Sequence, residues 1–155
     1  MINKKAFTLI ELMVVLLIFT IILSGVYGAF TIAGSLYQID TASVNIQQQA
    51  RQAMNWLVKD LRASSTGSIS ISYGGPGLDV VTFDTPFGTN IQYYVTAGQL
   101  IREYPVGTTR AIANNISTLD FILSVNTLKI TLVCSATALK RPLSIQLIEK
   151  VTLRN

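Results

Sequence analysis

Between Phe7 and Ile39 the chain carries a single charged side chain, Glu11, set in the run Phe7-Thr8-Leu9-Ile10-Glu11-Leu12-Met13-Val14-Val15-Leu16-Leu17-Ile18. An ionised group in a membrane-spanning helix costs roughly 2.5–3.5 kcal/mol on insertion scales, so Glu11 requires a partner or a purpose. No Lys, Arg or His in the same stretch supplies one. A cation becomes available if the chain is cut after Ala6, leaving a new amino terminus on Phe7, and if a neighbouring subunit presents that amine to Glu11. The chemistry is then done to this protein, followed by charge pairing between subunits.

The other polar residues do not form a catalytic set. Asp79, Asp84, Glu103, Asp120 and Glu149 occur singly, without the spacing of an acid–base pair or a calcium loop, and read as solvated strand-edge or turn residues. The absence of His and of a second Cys removes the commonest zinc arrangements and any intrachain disulfide. Cys134 lies in the apolar run Leu132-Val133-Cys134 and reads as a buried, inert thiol. Gly74-Gly75-Pro76-Gly77 lacks the Lys-Ser/Thr and helix start of a phosphate loop and reads as a turn. Lys140, Arg141, Lys150 and Arg154 could face an acidic partner, a membrane or DNA, but no aromatic residues interleave with them. Tyr73, Tyr93, Tyr94 and Tyr104 read as sheet residues rather than a base-stacking platform. The expectation is a protein that is not an enzyme and holds no cofactor or metal; DNA is a partner the sequence allows but does not support.

The elements that must position Glu11 are set by hydropathy. Phe7 to Ala33 is almost unbroken apolar sequence, and about 20 apolar residues suffice to cross a bilayer as a helix. No Pro interrupts the segment beyond Ala33. Ile39, Ala42, Ile46, Ala50, Ala53, Leu57 and Leu61 recur every three or four residues on one helical face, with Gln48, Gln52, Asn55, Lys59 and Arg62 opposite. The spacing predicts one helix from Phe7 to Ala63, roughly 85 Å long at 1.5 Å per residue.

Ser64-Ser65-Thr66-Gly67-Ser68 ends that helix, with Gly67 available for a positive φ. Beyond it the period changes to two. Strands are predicted at Ile69–Tyr73, Leu78–Phe83, Ile91–Val95, Gln99–Tyr104, Ser117–Leu123, Thr127–Val133 and Leu143–Thr152. The stretch 105–118 reads as mostly loop, and 135–142 as a separator. One helix followed by strands predicts an α+β fold, with an antiparallel sheet folded against the amphipathic half of the helix.

At 155 residues the chain has the size of one domain plus an anchor. Its mean hydropathy of +0.47 comes largely from the first helix. The formal net charge of +4 falls to +2 if Lys4 and Lys5 are removed, so the basicity is weak evidence for nucleic acid. The same two lysines, on the short side of the anchor, predict a cytoplasmic N-terminus and an exported remainder.

Lys4-Lys5-Ala6, Phe7, Thr8-Leu9-Ile10 and Glu11 resemble, position by position, the N-terminal motif of the type IV pilin superfamily, which includes the pseudopilins of type II secretion. The resemblance implies an α+β pilin fold with leader 1–6, transmembrane and polymerisation helix 7–33, amphipathic helix 34–64 and exported β-sheet domain 65–155. It implies cleavage between Ala6 and Phe7 by a prepilin peptidase, N-methylation of Phe7, and pairing of Glu11 with a neighbour's amino terminus. The implied partners are other pilin or pseudopilin subunits, the inner-membrane assembly platform, and membrane lipid before assembly. The implied location is the bacterial inner membrane, then a surface or periplasmic filament.

Two departures stand out: Ala6 replaces the family's usual Gly before the cut, and Gly28 stands where major pilins usually carry a helix-breaking Pro. The run Arg51 to Arg62, with Trp56, Leu57, Asp60, Leu61 and Arg62, is similar to the helix end of PulJ-like pseudopilins and PilW-like minor pilins. That points to a minor subunit serving pilus biogenesis, secretion or DNA uptake. Other readings of the N-terminus are a secretory signal peptide, with Leu12 to Leu23 as its apolar core, and a plain signal anchor. The rival function is an anchored binding module that recognises a secreted substrate or DNA.

Overall fold

A computed structural model describes residues 8–154. The chain divides after Asp40 into two compact units, and helix α1, Leu9–Ala63, contributes residues to both.

From Leu9 to Leu36 the α1 surface is apolar nearly all round, with Glu11 its one charge: Leu12, Phe19, Ile22 and Val26 are exposed on one side, and Ile10, Val14, Leu17 and Ile21 on the other. This helix is long and apolar enough to cross a membrane. Its Ser and Thr hydroxyls between Thr20 and Ser35 are compatible with lipid because they bond back into the helix. Thr20 donates to the Leu17 carbonyl at 2.8 Å, Ser24 to Ile21 at 2.8 Å, and Thr31 to Gly28 at 2.8 Å. Each is thereby satisfied without water.

The second unit is where α1 finds a core. Ile46, Ala50, Ala53, Leu57 and Leu61 of the expected stripe are buried, joined by Met54, whereas Ile39 and Ala42 at its start are only half-buried; Gln48, Gln52, Asn55, Lys59 and Arg62 are exposed opposite. The stripe packs with Val81, Phe83, Tyr93, Leu100, Leu119, Leu128, Ile130 and Leu132. Cys134 lies in the same core, fully buried.

The strands form two antiparallel sheets, not the single sheet expected. The first runs in order β1 (Ser70–Tyr73), β2 (Asp79–Thr85), β3 (Gly88–Thr96), β4 (Gln99–Glu103) and β5 (Thr109–Ala113). The second contains β6 (Ile116–Ser124), β7 (Thr127–Ala138) and β8 (Arg141–Thr152). Between Ala113 and Ile116 the chain leaves one sheet for the other, with Asn115 at φ 62.

β5 falls in the stretch expected to be mostly loop. Its Ala111 and Ala113 have weak intrinsic strand preference, and pairing with β4 together with burial of Ile112 and Ala113 decides the matter. The separator expected at 135–142 is instead the end of a long β7–β8 hairpin. Leu139 and Lys140 take φ 48 and 65, the two positive values that a two-residue turn of matching twist requires, without the usual Asn-Gly signal. Gly67 does not adopt a positive φ. The chain leaves α1 through a short 3-10 turn, Thr66–Ser68, held by the Thr66 N–H on the Arg154 carbonyl at 2.8 Å.

The glycine-rich turn between β1 and β2 joins the sheets. Gly77 (φ 68) presents its carbonyl to the Leu119 N–H at 2.8 Å, and Asp79 Oδ2 accepts the Phe121 N–H at 3.0 Å. Both donors lie on the edge of β6 that faces away from β7, so this turn caps that edge.

Candidate processing and assembly site

Lys4, Lys5, Ala6 and Phe7 lie outside the described residues. Glu11 stands in the first turn of α1 and is exposed. Immediately before the helix, Thr8 acts as its cap: the Thr8 carbonyl accepts the Leu12 N–H at 3.2 Å, and its hydroxyl accepts the Glu11 N–H at 3.4 Å. Thr8 followed three residues later by Glu11 is the capping-box pattern, a signal legible in the sequence that hydropathy alone passes over. The carboxylate also lies at the positive end of the helix dipole. Among the described residues Glu11 makes no ion pair.

Elsewhere the polar groups that the sequence scattered are drawn into three arrangements. On α1, Asp60 Oδ2 accepts from Arg102 Nε at 2.8 Å and from the Tyr93 hydroxyl at 2.9 Å. Burial and then the Asp60 charge push the Tyr93 phenol far above its usual range. Burial alone would lower Arg102, but its hydrogen bond and charge interaction with Asp60 outweigh this and raise it. Tyr93, expected as a sheet residue, is one, with its hydroxyl turned to the helix.

Secondly, the turn capping β6 brings Asp79 beside Asp120. Burial, then the hydrogen bond and charge of Asp79, raise the Asp120 carboxyl above the ordinary carboxylate range, and Lys129 partly opposes them. These two residues, expected to stand singly, are 41 positions apart and meet only through the junction of the sheets. Thirdly, Asp84 and Glu103 hold turns: Asp84 Oδ1 accepts the Asn90 N–H at 2.7 Å, and Glu103 Oε1 the Gly107 N–H at 2.8 Å. Of the expected basic group, Lys140 occupies a hairpin turn and Arg141 and Lys150 lie on β8. No group of three or more His, Cys, Asp or Glu placed to hold a metal occurs among the described residues.

A long apolar helix whose later part packs on antiparallel sheets defines a pilin-like α+β architecture. A family model described as the prokaryotic N-terminal methylation motif matches residues 1–27, and this supports the type IV pilin and pseudopilin superfamily. The match is confined to the first 27 residues, which include the start of α1. No curated protein and no solved structure matches the chain.

Proposed function

We propose that the protein is a minor pilin or minor pseudopilin, cut between Ala6 and Phe7 by a prepilin peptidase, methylated on the new amine, and assembled into a filament for pilus biogenesis, protein secretion or DNA uptake. The observation that carries this reading is the methylation-motif match over residues 1–27, at the head of an exposed apolar helix. Before assembly that helix lies in lipid, with Lys4 and Lys5 cytoplasmic and the C-terminal unit exported.

Glu11 has two roles in sequence. In the membrane it serves its own helix as the third residue after the Thr8 cap. When helices leave the lipid to pack together, it pairs with the Phe7 amine of a neighbour. A buried charge left without a partner destabilises by about 3–5 kcal/mol, so pairing selects axial register. The helix-end run Arg51 to Arg62 favours the minor class.

N-terminal sequencing and intact mass of protein from native membranes test the processing. A mature start at Phe7 bearing one added methyl group is expected; a start at Met1 leaves a simple anchor. Glu11→Gln tests assembly separately: membrane insertion stays intact and recovery in sheared filaments or pseudopilus preparations falls, whereas normal recovery removes the pairing role.

A further inference from the structure

Three cations and three aromatic rings meet on one side of the C-terminal unit. The guanidinium carbon of Arg110 lies 5.4 Å from the Trp56 ring centre, and Lys59 Nζ lies 5.7 Å from it. Arg102 lies 5.4 Å from the Tyr104 ring centre. The Tyr104 hydroxyl in turn donates to the Phe87 carbonyl at 3.1 Å, at a turn where the Phe87 side chain is 87% exposed. Lys59, Arg102, Tyr104, Phe87 and Ile91 line an open cleft of about 200 Å³ with Asp60.

The charges there do not balance. Arg102 and Arg110 stand directly opposite each other across β4 and β5, a like-charge pairing that is unfavourable in isolation. Asp60 answers Arg102 at 2.8 Å, but neither Arg110 nor Lys59 has a carboxylate partner among the described residues. Two exposed cations are thus held over one indole, with no protein acceptor for either among the described residues. Arg, Trp and Tyr are also the side chains on which protein interfaces concentrate binding energy.

Trp56 and Arg110 do not line the cleft but adjoin it, Trp56 at Lys59 and Arg110 opposite Arg102. We propose that the cleft and this adjoining pair together dock a segment of a partner protein in which an acidic side chain stands next to an apolar one. Carboxylates take the open edges of Arg110 and Lys59, since a guanidinium fork matches a carboxylate in geometry. The apolar neighbour covers Phe87. The rings of Trp56 and Tyr104 already carry cations, which leaves them poorly placed to stack nucleotide bases. In a second copy of this chain Asp60, Asp79, Asp84 and Glu103 are each engaged within the unit, but Glu149 is exposed beside the exposed Ile148 on β8, so self-association is the competing outcome. A full-length chain that sediments as a dimer through this face, and loses that dimer in Arg110→Gln, would overturn docking of a different partner.

The test does not depend on filament assembly. Full-length chain in zwitterionic detergent is titrated with short peptides in which Asp or Glu alternates with Leu or Phe. Trp56, the only tryptophan of the chain, reports binding through its fluorescence, and calorimetry measures the same affinity independently of the ring. Binding is expected to saturate, to weaken in about 0.5 M salt, and to vanish when Asn and Gln replace the peptide acids. Lys59→Gln and Arg110→Gln are each expected to weaken it about fivefold or more with unchanged thermal melts, because each removes a charge-assisted hydrogen bond. The inference is overturned if no peptide of the set binds, if both variants bind as the native chain does, or if an oligothymidylate binds in preference.

Discussion

Asp60 fastens the end of α1 to the first sheet through one oxygen that accepts from both Arg102 and Tyr93. The Arg102 and Asp60 side chains are only 20% and 15% exposed, so removing one partner leaves the other charge largely out of water. Asp60→Ala is expected to lower stability by about 2–4 kcal/mol, measured by denaturant unfolding of detergent-solubilised protein. Replacing both ends, as Asp60→Leu with Arg102→Met, is expected to restore much of the loss, since no unpaired charge then remains.

Asp120 gives the pH dependence its sign. Its carboxyl is raised in the fold, so the folded state binds a proton more tightly than the unfolded state does. Its contribution is fully present below the ordinary carboxylate pKa and is lost as pH rises through the folded value. Thermal melts taken from acid to neutral pH should show Asp120→Asn gaining on the native chain as pH rises. An unchanged difference across that range would exclude the Asp79–Asp120 contact as its source.

At the scale of elements, the β1–β2 turn carries more than its composition suggests. The Gly74 N–H bonds to the Leu78 carbonyl at 2.9 Å, closing a turn from which Gly77 and Asp79 reach the capped edge of β6. A side chain at position 74 would run into that Leu78 carbonyl oxygen and approach Val80 Cγ2 at 3.1 Å. Gly74→Ala is therefore expected to destabilise by about 1–3 kcal/mol, the range for overpacking. Amide hydrogen exchange should show the loss at Leu119 and Phe121 as well as in the turn. Loss of protection confined to the turn would mean that the junction does not depend on it.

For the whole molecule, the two units have opposite requirements of their solvent. The apolar surface from Leu9 to Leu36 calls for lipid, whereas the unit from Thr41 onward has its own core, built from both sheets and the α1 stripe. A fragment covering Thr41–Asn155 is expected to be soluble without detergent and to unfold in one cooperative step. Cys134 supplies an internal reporter, since burial raises its thiol to about 11 and removes it from solvent. At pH 8 a thiol reagent should label Cys134 only with the same midpoint at which the circular dichroism of the fragment is lost. Labelling before unfolding would show that the core opens locally.

Local pattern by itself determined the apolar helix, the amphipathic stripe read from Ile39 to Leu61, buried from Ile46 onward, and the strand-rich remainder, because periods of 3.6 and 2 are written residue by residue. It also placed Glu11, Thr8 and the methylation motif, since these are fixed spacings along one helix start. Only the tertiary structure decided the division into two sheets, the strand at Thr109–Ala113, and the meetings of Asp60 with Arg102 and of Asp79 with Asp120. Those depend on pairing between residues dozens of positions apart. Arg110 over Trp56 is of the same kind: neither side chain signals the other along the chain, and β5 brings them together only once the sheet has formed on the helix.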